Sequence, residues 1–169
     1  MAALLGLSPS ASHSEQPLDS PLAPVEIWVE GFQDLRGIAI DATGNVYVAD
    51  REAGTVTRIT AERSRAVVAD RLERPVGLAV DPGGRLLIAE ERAERVVRLE
   101  PGGGRTRLVS GIKHPRWLAV DEQERLFISA RRLTRGTDPE SDDESAPPEV
   151  IMVRQPSGGL AVFADGLRR

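Results

Sequence analysis

Apolar and polar residues alternate along this chain in short runs that return at a fixed interval. Arg74-Pro75 opens Val76-Gly77-Leu78-Ala79-Val80-Asp81. After the turn Pro82-Gly83-Gly84 comes Leu86-Leu87-Ile88-Ala89-Glu90. The same phrase occurs as Leu35-Arg36-Gly37-Ile38-Ala39-Ile40-Asp41 with Val46-Tyr47-Val48-Ala49-Asp50. It occurs again as Pro115-Arg116-Trp117-Leu118-Ala119-Val120-Asp121 with Leu126-Phe127-Ile128-Ser129-Ala130. Asp41, Asp81 and Asp121 stand 40 residues apart. A repeat of this length sets the architecture before any single residue is weighed.

Each repeat predicts four strands. The first spans Gly37–Asp41 and its counterparts, and the second spans Asn45–Asp50. The third falls at Thr55–Thr60, Arg95–Glu100 and Val150–Arg154, and the fourth at Arg65–Asp70, Thr106–Gly111 and Leu160–Gly166. Gly, Pro or charged turns between short apolar strands indicate antiparallel meanders. No stretch carries a helical period. Four antiparallel strands in about 40 residues make one blade of a β-propeller. The expected fold is all-β: a partial β-propeller of three four-stranded antiparallel blades, with one N-terminal orphan strand. A blade has apolar residues on both faces and cannot bury them alone, so neighbours stack. Ile38, Ile40, Val46, Val48, Leu78, Val80, Leu86, Ile88, Leu118, Val120, Leu126 and Ile128 are the expected inter-blade core. Asp41 and Asp81 are expected to cap their turns through backbone N–H groups.

Residues 1–24 read as a disordered tail or a signal-peptide remnant, since Met1-Ala2-Ala3-Leu4-Leu5-Gly6-Leu7 is apolar and the residues after it are small and polar. Residues 25–169 hold the propeller, with blades at about 37–70, 77–111 and 117–166. Val25–Phe32 alternates apolar and charged residues and matches the end of a repeat, so it reads as the last strand of a unit whose first three strands are missing. The third repeat carries an insertion within 131–148 that is acidic and rich in proline, read as a surface loop with a binding loop as the alternative. The sequence stops one residue short of the next repeat opening, which suggests part of a larger propeller. Open ends are expected around Trp28, Ile38 and Val46, and around Leu126, Phe127, Met152 and Phe163. Closure by a homodimer or by further blades is the corresponding expectation.

Composition narrows the classes. The 169 residues are 40% hydrophobic and 28% charged, as in a globular chain. The net charge of −4 argues against a nucleic-acid partner. No apolar run is long enough for a membrane span. With no cysteine there are no disulfides and no thiolate metal sites. The localisation expected from the N-terminus is periplasmic or secreted, and otherwise cytoplasmic.

The phrase Pro-x-Gly-Leu-Ala-Val-Asp-x-x-Gly-x-Leu-x-Ile-Ala-Glu resembles the NHL-repeat and gluconolactonase-like group of mostly six-bladed propellers, over about residues 25–169. That group includes lactonases, quinoprotein sugar dehydrogenases, sensors and protein-binding scaffolds, so the resemblance specifies the blade and leaves the activity open. Lactonase-type members hold a divalent cation with Glu, Asn and Asp, the Asn lying in the Pro-Asn-Gly opening. Arg36, Val76 and Arg116 stand at that position here, and none is a metal ligand. Quinoprotein members use a His with Arg and Lys, for which His114, Lys113 and Arg116 are superficially suited. No cofactor is identified, and a divalent cation such as calcium enters only under the lactonase reading.

Inter-blade loops and the loops between second and third strands open on the same face of a propeller and build one concavity. The candidate ligand-binding residues on that rim are Arg36, Arg74, His114, Arg116, Trp117, Asp50 and Glu90. Arg51, Glu91 and Arg132 lie in the same loops. Guanidinium groups recognise carboxylates or phosphates in bidentate geometry, so a small anionic ligand is the expected guest, with a protein partner as the other. The bland alternative pairs these arginines with Asp50 and Glu90 as a solvated rim. Trp117 stands where the other repeats have Gly37 and Gly77, and either fills the channel or offers a stacking platform. The function expected is ligand or protein binding. The alternative is part of a metal-dependent gluconolactonase-like hydrolase or a quinoprotein sugar dehydrogenase-like enzyme.

Overall fold

A computed structural model describes residues 26–131 and 149–167. Among them are twelve strands and no helix. Blade A comprises β1 (Leu35–Ile40), β2 (Val46–Asp50), β3 (Thr55–Ile59) and β4 (Arg65–Ala69). Blade B comprises β5 (Pro75–Val80), β6 (Leu86–Glu90), β7 (Arg95–Leu99) and β8 (Arg105–Ser110). Blade C comprises β9 (Leu118–Val120), β10 (Leu126–Arg131), β11 (Glu149–Arg154) and β12 (Leu160–Leu167). Each is a four-stranded antiparallel sheet with its strands in sequence order, so the fold is a partial β-propeller. The inner strands β1, β5 and β9 adjoin in turn, with blade B in the middle. The insertion lies mostly outside the described residues, as do residues 1–25 and Arg132.

The turns follow from the aspartates. Asp41 accepts N–H bonds from Thr43 at 2.9 Å and Asn45 at 3.0 Å. Asp81 accepts from Arg85 at 2.9 Å and Asp121 from Arg125 at 2.8 Å. Gly44 and Gly84 take the left-handed conformation that closes the turn, with φ of 84° and 76°. Burial pushes the Asp41 carboxyl up, but the Asn45, Thr43 and Tyr47 hydrogen bonds outweigh it and hold it well below the usual carboxylate range.

Two apolar cores lie between blades. Ala49, Val56 and Leu72 pack against Leu78, Leu86 and Ile88 between A and B. Ala79, Leu87 and Val96 pack against Leu126, Ile128 and Val150 between B and C. The period of two along a strand explains the pairing. Leu78 and Val80 face blade A, and Leu118 and Val120, 40 residues on, face blade B. Ile38 and Ile40 share that parity but have no preceding blade among the described residues.

Two expectations are therefore corrected. Ile38 and Ile40 are exposed (66% and 63%) and not inter-blade core, and for Ile38 this is the exposure expected of an open end. Leu126 is not at an open end but 2% exposed between B and C, because its parity turns it towards β6 and β7. The open face of blade C carries Phe127 and Phe163 instead, packed edge to face at 5.1 Å.

The expected orphan strand is a third correction. Residues 26–34 form no strand. They are tethered to blade A by side chains: Arg63 pairs with Glu26 at 2.8 Å, Arg65 donates to the Glu30 carbonyl at 2.7 Å, and the Arg65 guanidinium lies over the Phe32 ring. A strand needs a ladder partner. The third strand that would supply one is absent from the described residues.

Candidate functional site

The inner ends of the three blades meet in a cleft of about 290 Å³. Leu35, Arg36, Val76, Arg116 and Trp117 line it from the blade openings, and Arg51 and Glu91 from the loops after β2 and β6. Arg36, Val76 and Arg116 are equivalent positions of successive blades, as are Arg51 and Glu91, 40 residues apart. The repeat thus sets two short arcs of side chains around the axis.

Close packing of backbones brings these openings together. A Cβ on Gly37 would lie 2.4 Å from the Val76 carbonyl oxygen, and one on Gly77 would lie 2.0 Å from that of Arg116. Only glycine allows such an approach. The equivalent residue of blade C is Trp117, whose indole stands 65% exposed on the cleft wall. The Trp117 backbone N–H donates to the Ser129 hydroxyl at 3.0 Å, and the β9 ladder begins only at Leu118.

The cations of the cleft all have partners. Arg36 pairs with Asp34 at 2.8 Å, and Arg51 pairs with Asp34 at 2.7 Å and with Glu91 at 3.9 Å. Arg116 lies 3.7 Å from Glu149. The more exposed of these, Arg36–Asp34 and Arg116–Glu149, contribute little, about 0–1 kcal/mol each.

The sequence-derived candidates divide. Arg36, Arg116 and Trp117 come together in the cleft. Arg74 and His114 do not line it. Both precede a proline and sit at positive φ, 55° and 46°, where the chain turns into the inner strand. The Arg74 guanidinium has no ion pair among the described residues, and His114 Nδ1 lies 3.8 Å from Glu91. Lys113 pairs with Glu94, away from the cleft.

Asp50 and Glu90 are not rim groups. Asp50 is 4% exposed and accepts N–H bonds from Gln33 at 2.7 Å and from Asp34 and Ala53, both at 3.1 Å. Glu90 is fully buried. It accepts from the Glu73 N–H at 3.0 Å and from Arg95 Nε and Nη2 at 2.5 and 3.0 Å. Each carboxylate pins the connector that enters its blade, so its oxygens are committed. The Glu90 carboxylate in turn raises Arg95 above its ordinary value. Arg51 and Glu91, one residue further along the same loops, are the ones that reach the cleft. The adjacent repeat positions were the sequence signal for them.

No group of three or more His, Cys, Asp or Glu among the described residues could hold a metal. The three blade-opening side chains offer two guanidiniums and an isopropyl group, which give a divalent cation no oxygen ligand. The lactonase-type cation does not fit these residues. The His114, Lys113 and Arg116 set does not converge either.

These blades define a β-propeller. An NHL repeat model matches residues 32–59, covering β1 to β3. Among solved structures, the chain is similar to a gluconolactonase from Xanthomonas campestris at 21% identity and a TM-score of 0.65, over 79% of this chain and 48% of that one. It is similar to the PQQ-bound aldose sugar dehydrogenase from Streptomyces coelicolor at 19% identity and a TM-score of 0.63, over 82% and 52%. It is also similar to a chain of the nidogen–laminin complex at 18% identity and a TM-score of 0.64, over 78% and 48%. No curated protein sequence matches. The chain carries an NHL repeat and has the fold of the NHL and gluconolactonase-like β-propellers, and it spans about half the length of these solved relatives.

Proposed function

We propose that the chain is a binding module of NHL-like propeller type whose channel-mouth cleft takes a small anionic ligand with a flat face. One observation carries this reading. Arg36, Arg51 and Arg116, from three separate stretches of chain, line one cleft beside an exposed indole. A carboxylate or phosphate can take bidentate bonds from a guanidinium, at about 1.5–3 kcal/mol per charged hydrogen bond. Trp117 supplies a face on which a planar group stacks.

The enzymatic alternative has less support. The named lactonase and dehydrogenase relatives share the fold, but the described residues offer no cation ligand set and no converged His–Lys–Arg cluster.

A thermal-shift screen with benzoate, citrate and inorganic phosphate at fixed ionic strength tests the proposal. At least one anion should raise Tm, by mass action on the native state. Arg116→Ala should abolish the shift, and Arg74→Ala should leave it. No anion-dependent shift beyond that of chloride would defeat the reading.

A further inference from the structure

The cleft carries both signs of charge. Its arginines Arg36, Arg51 and Arg116 are faced by the carboxylates Asp34, Glu91 and Glu149. A ligand with negative charge alone meets only half of that arrangement.

The acids differ in how far they are committed. Asp34 Oδ1 lies 2.8 Å from Arg36 Nε, and its Oδ2 accepts from Arg51 Nε at 2.7 Å, so both oxygens are taken. Glu91 is different. Its side chain lines the cleft and is 14% exposed. Oε1 lies 3.8 Å from His114 Nδ1, and Oε2 lies 3.9 Å from Arg51 Nη1. Both distances are too long for a hydrogen bond. No other charged partner of Glu91 stands nearer among the described residues. A carboxylate that is mostly buried and accepts nothing from its neighbours has its lone pairs available to a donor that enters the cleft.

The repeat explains the placement. Positions 51 and 91 are equivalent, and blade A has Arg where blade B has Glu. The Glu91 N–H donates to the Arg74 carbonyl at 2.9 Å, which fixes the root of the side chain at the cleft wall. Arg116, at the opening of blade C, is also loosely held, 3.7 Å from Glu149, and Trp117 follows it in the chain.

We propose that Glu91 sets the specificity of the cleft, and that the ligand is a single-ring aromatic molecule bearing a carboxylate and an amine. The inference rests on the anion-site reading above and adds the second charge. Arg116 takes the carboxylate, Trp117 the ring and Glu91 the ammonium. An ammonium brings three donors and a full positive charge, so it gives Glu91 the charge-assisted bonds that His114 and Arg51 are too distant to make. A cleft of about 290 Å³ is at the small end of ligand sites and suits one ring.

Calorimetric titration of the intact chain at neutral pH and constant ionic strength tests this. The probes are 3- and 4-(aminomethyl)benzoate, each against the ethylbenzoate of the same shape that lacks the ammonium. At least one amine should bind about tenfold or more tighter than its ethyl counterpart, as one charged hydrogen bond gives. Glu91→Gln should bring that pair within about twofold. Equal affinity within both pairs, or a preference that survives Glu91→Gln, would overturn the role of Glu91. In the first case binding of the ethylbenzoates would leave the anion site standing, whereas no binding by any of the four probes would remove both. The comparison within the parent chain decides even where the variant fails to fold.

Discussion

A Cβ placed on Gly77 would lie 2.0 Å from the carbonyl oxygen of Arg116. That pair fixes how near the axis two blades can come. Gly77→Ala must push blades B and C apart, at about 1–3 kcal/mol. Gly159→Ala, where nothing lies within 4 Å, should cost far less. Urea melts of the two variants check this. Equal midpoints would mean that the blades are not in such close contact.

Leu78 and Ile38 occupy the same place in successive blades, yet they are 6% and 66% exposed. Leu78→Ala should cost about 2–5 kcal/mol and Ile38→Ala within about 0.5 kcal/mol. Denaturant unfolding measures both. An Ile38→Ala cost close to that of Leu78→Ala would mean that the face is covered in solution.

Glu90 is buried with Arg95 and the Glu73 N–H as its partners. Glu90→Gln takes the charge from a buried acceptor whose partner Arg95 is 32% exposed and should destabilise by about 1–2 kcal/mol. Asp70→Asn breaks only an exposed pair with Arg71 and should change the midpoint little. A Glu90→Gln protein as stable as the parent would return Glu90 to the rim.

Acid should weaken the fold through Asp50. Burial pushes its carboxyl up, but the N–H groups of Gln33, Ala53, Asp34 and Glu52 outweigh burial and leave it lowered. A carboxyl lowered in the native state contributes fully above its unfolded value of about 4. That contribution is lost as pH falls through the native value. The Tm gap between the parent and Asp50→Asn should therefore be wide at neutral pH and narrow below about pH 4. A gap independent of pH would rule out this role.

The blades were legible in the sequence because two periods coincide: alternation within a strand and return after 40 residues. Faces were harder to read. Alternation says that Leu126 and Phe127 point opposite ways, but only the stacking direction says which one meets blade B. The segment at 25–32 reads as a strand from its pattern, but strand pairing needs a neighbour that the pattern does not supply. That Arg36, Arg116 and Trp117 would come together was legible from their shared place in the blade openings. Asp50 and Glu90 were misplaced because a loop carboxylate facing solvent and one turned back onto a connector amide look alike in sequence. The separating signal was the 17-residue spacing of Asp50 from Gln33 and of Glu90 from Glu73.

The most direct measurement follows Trp117 itself. The chain has two tryptophans, so Trp28→Phe leaves Trp117 as the one emitter. Its fluorescence is titrated with benzoate, citrate and inorganic phosphate at constant ionic strength. The account predicts a saturable change with at least one of them, weakened about tenfold or more by Arg116→Ala and unchanged by Arg74→Ala. A response that stays flat for every anion, or survives Arg116→Ala intact, would contradict it.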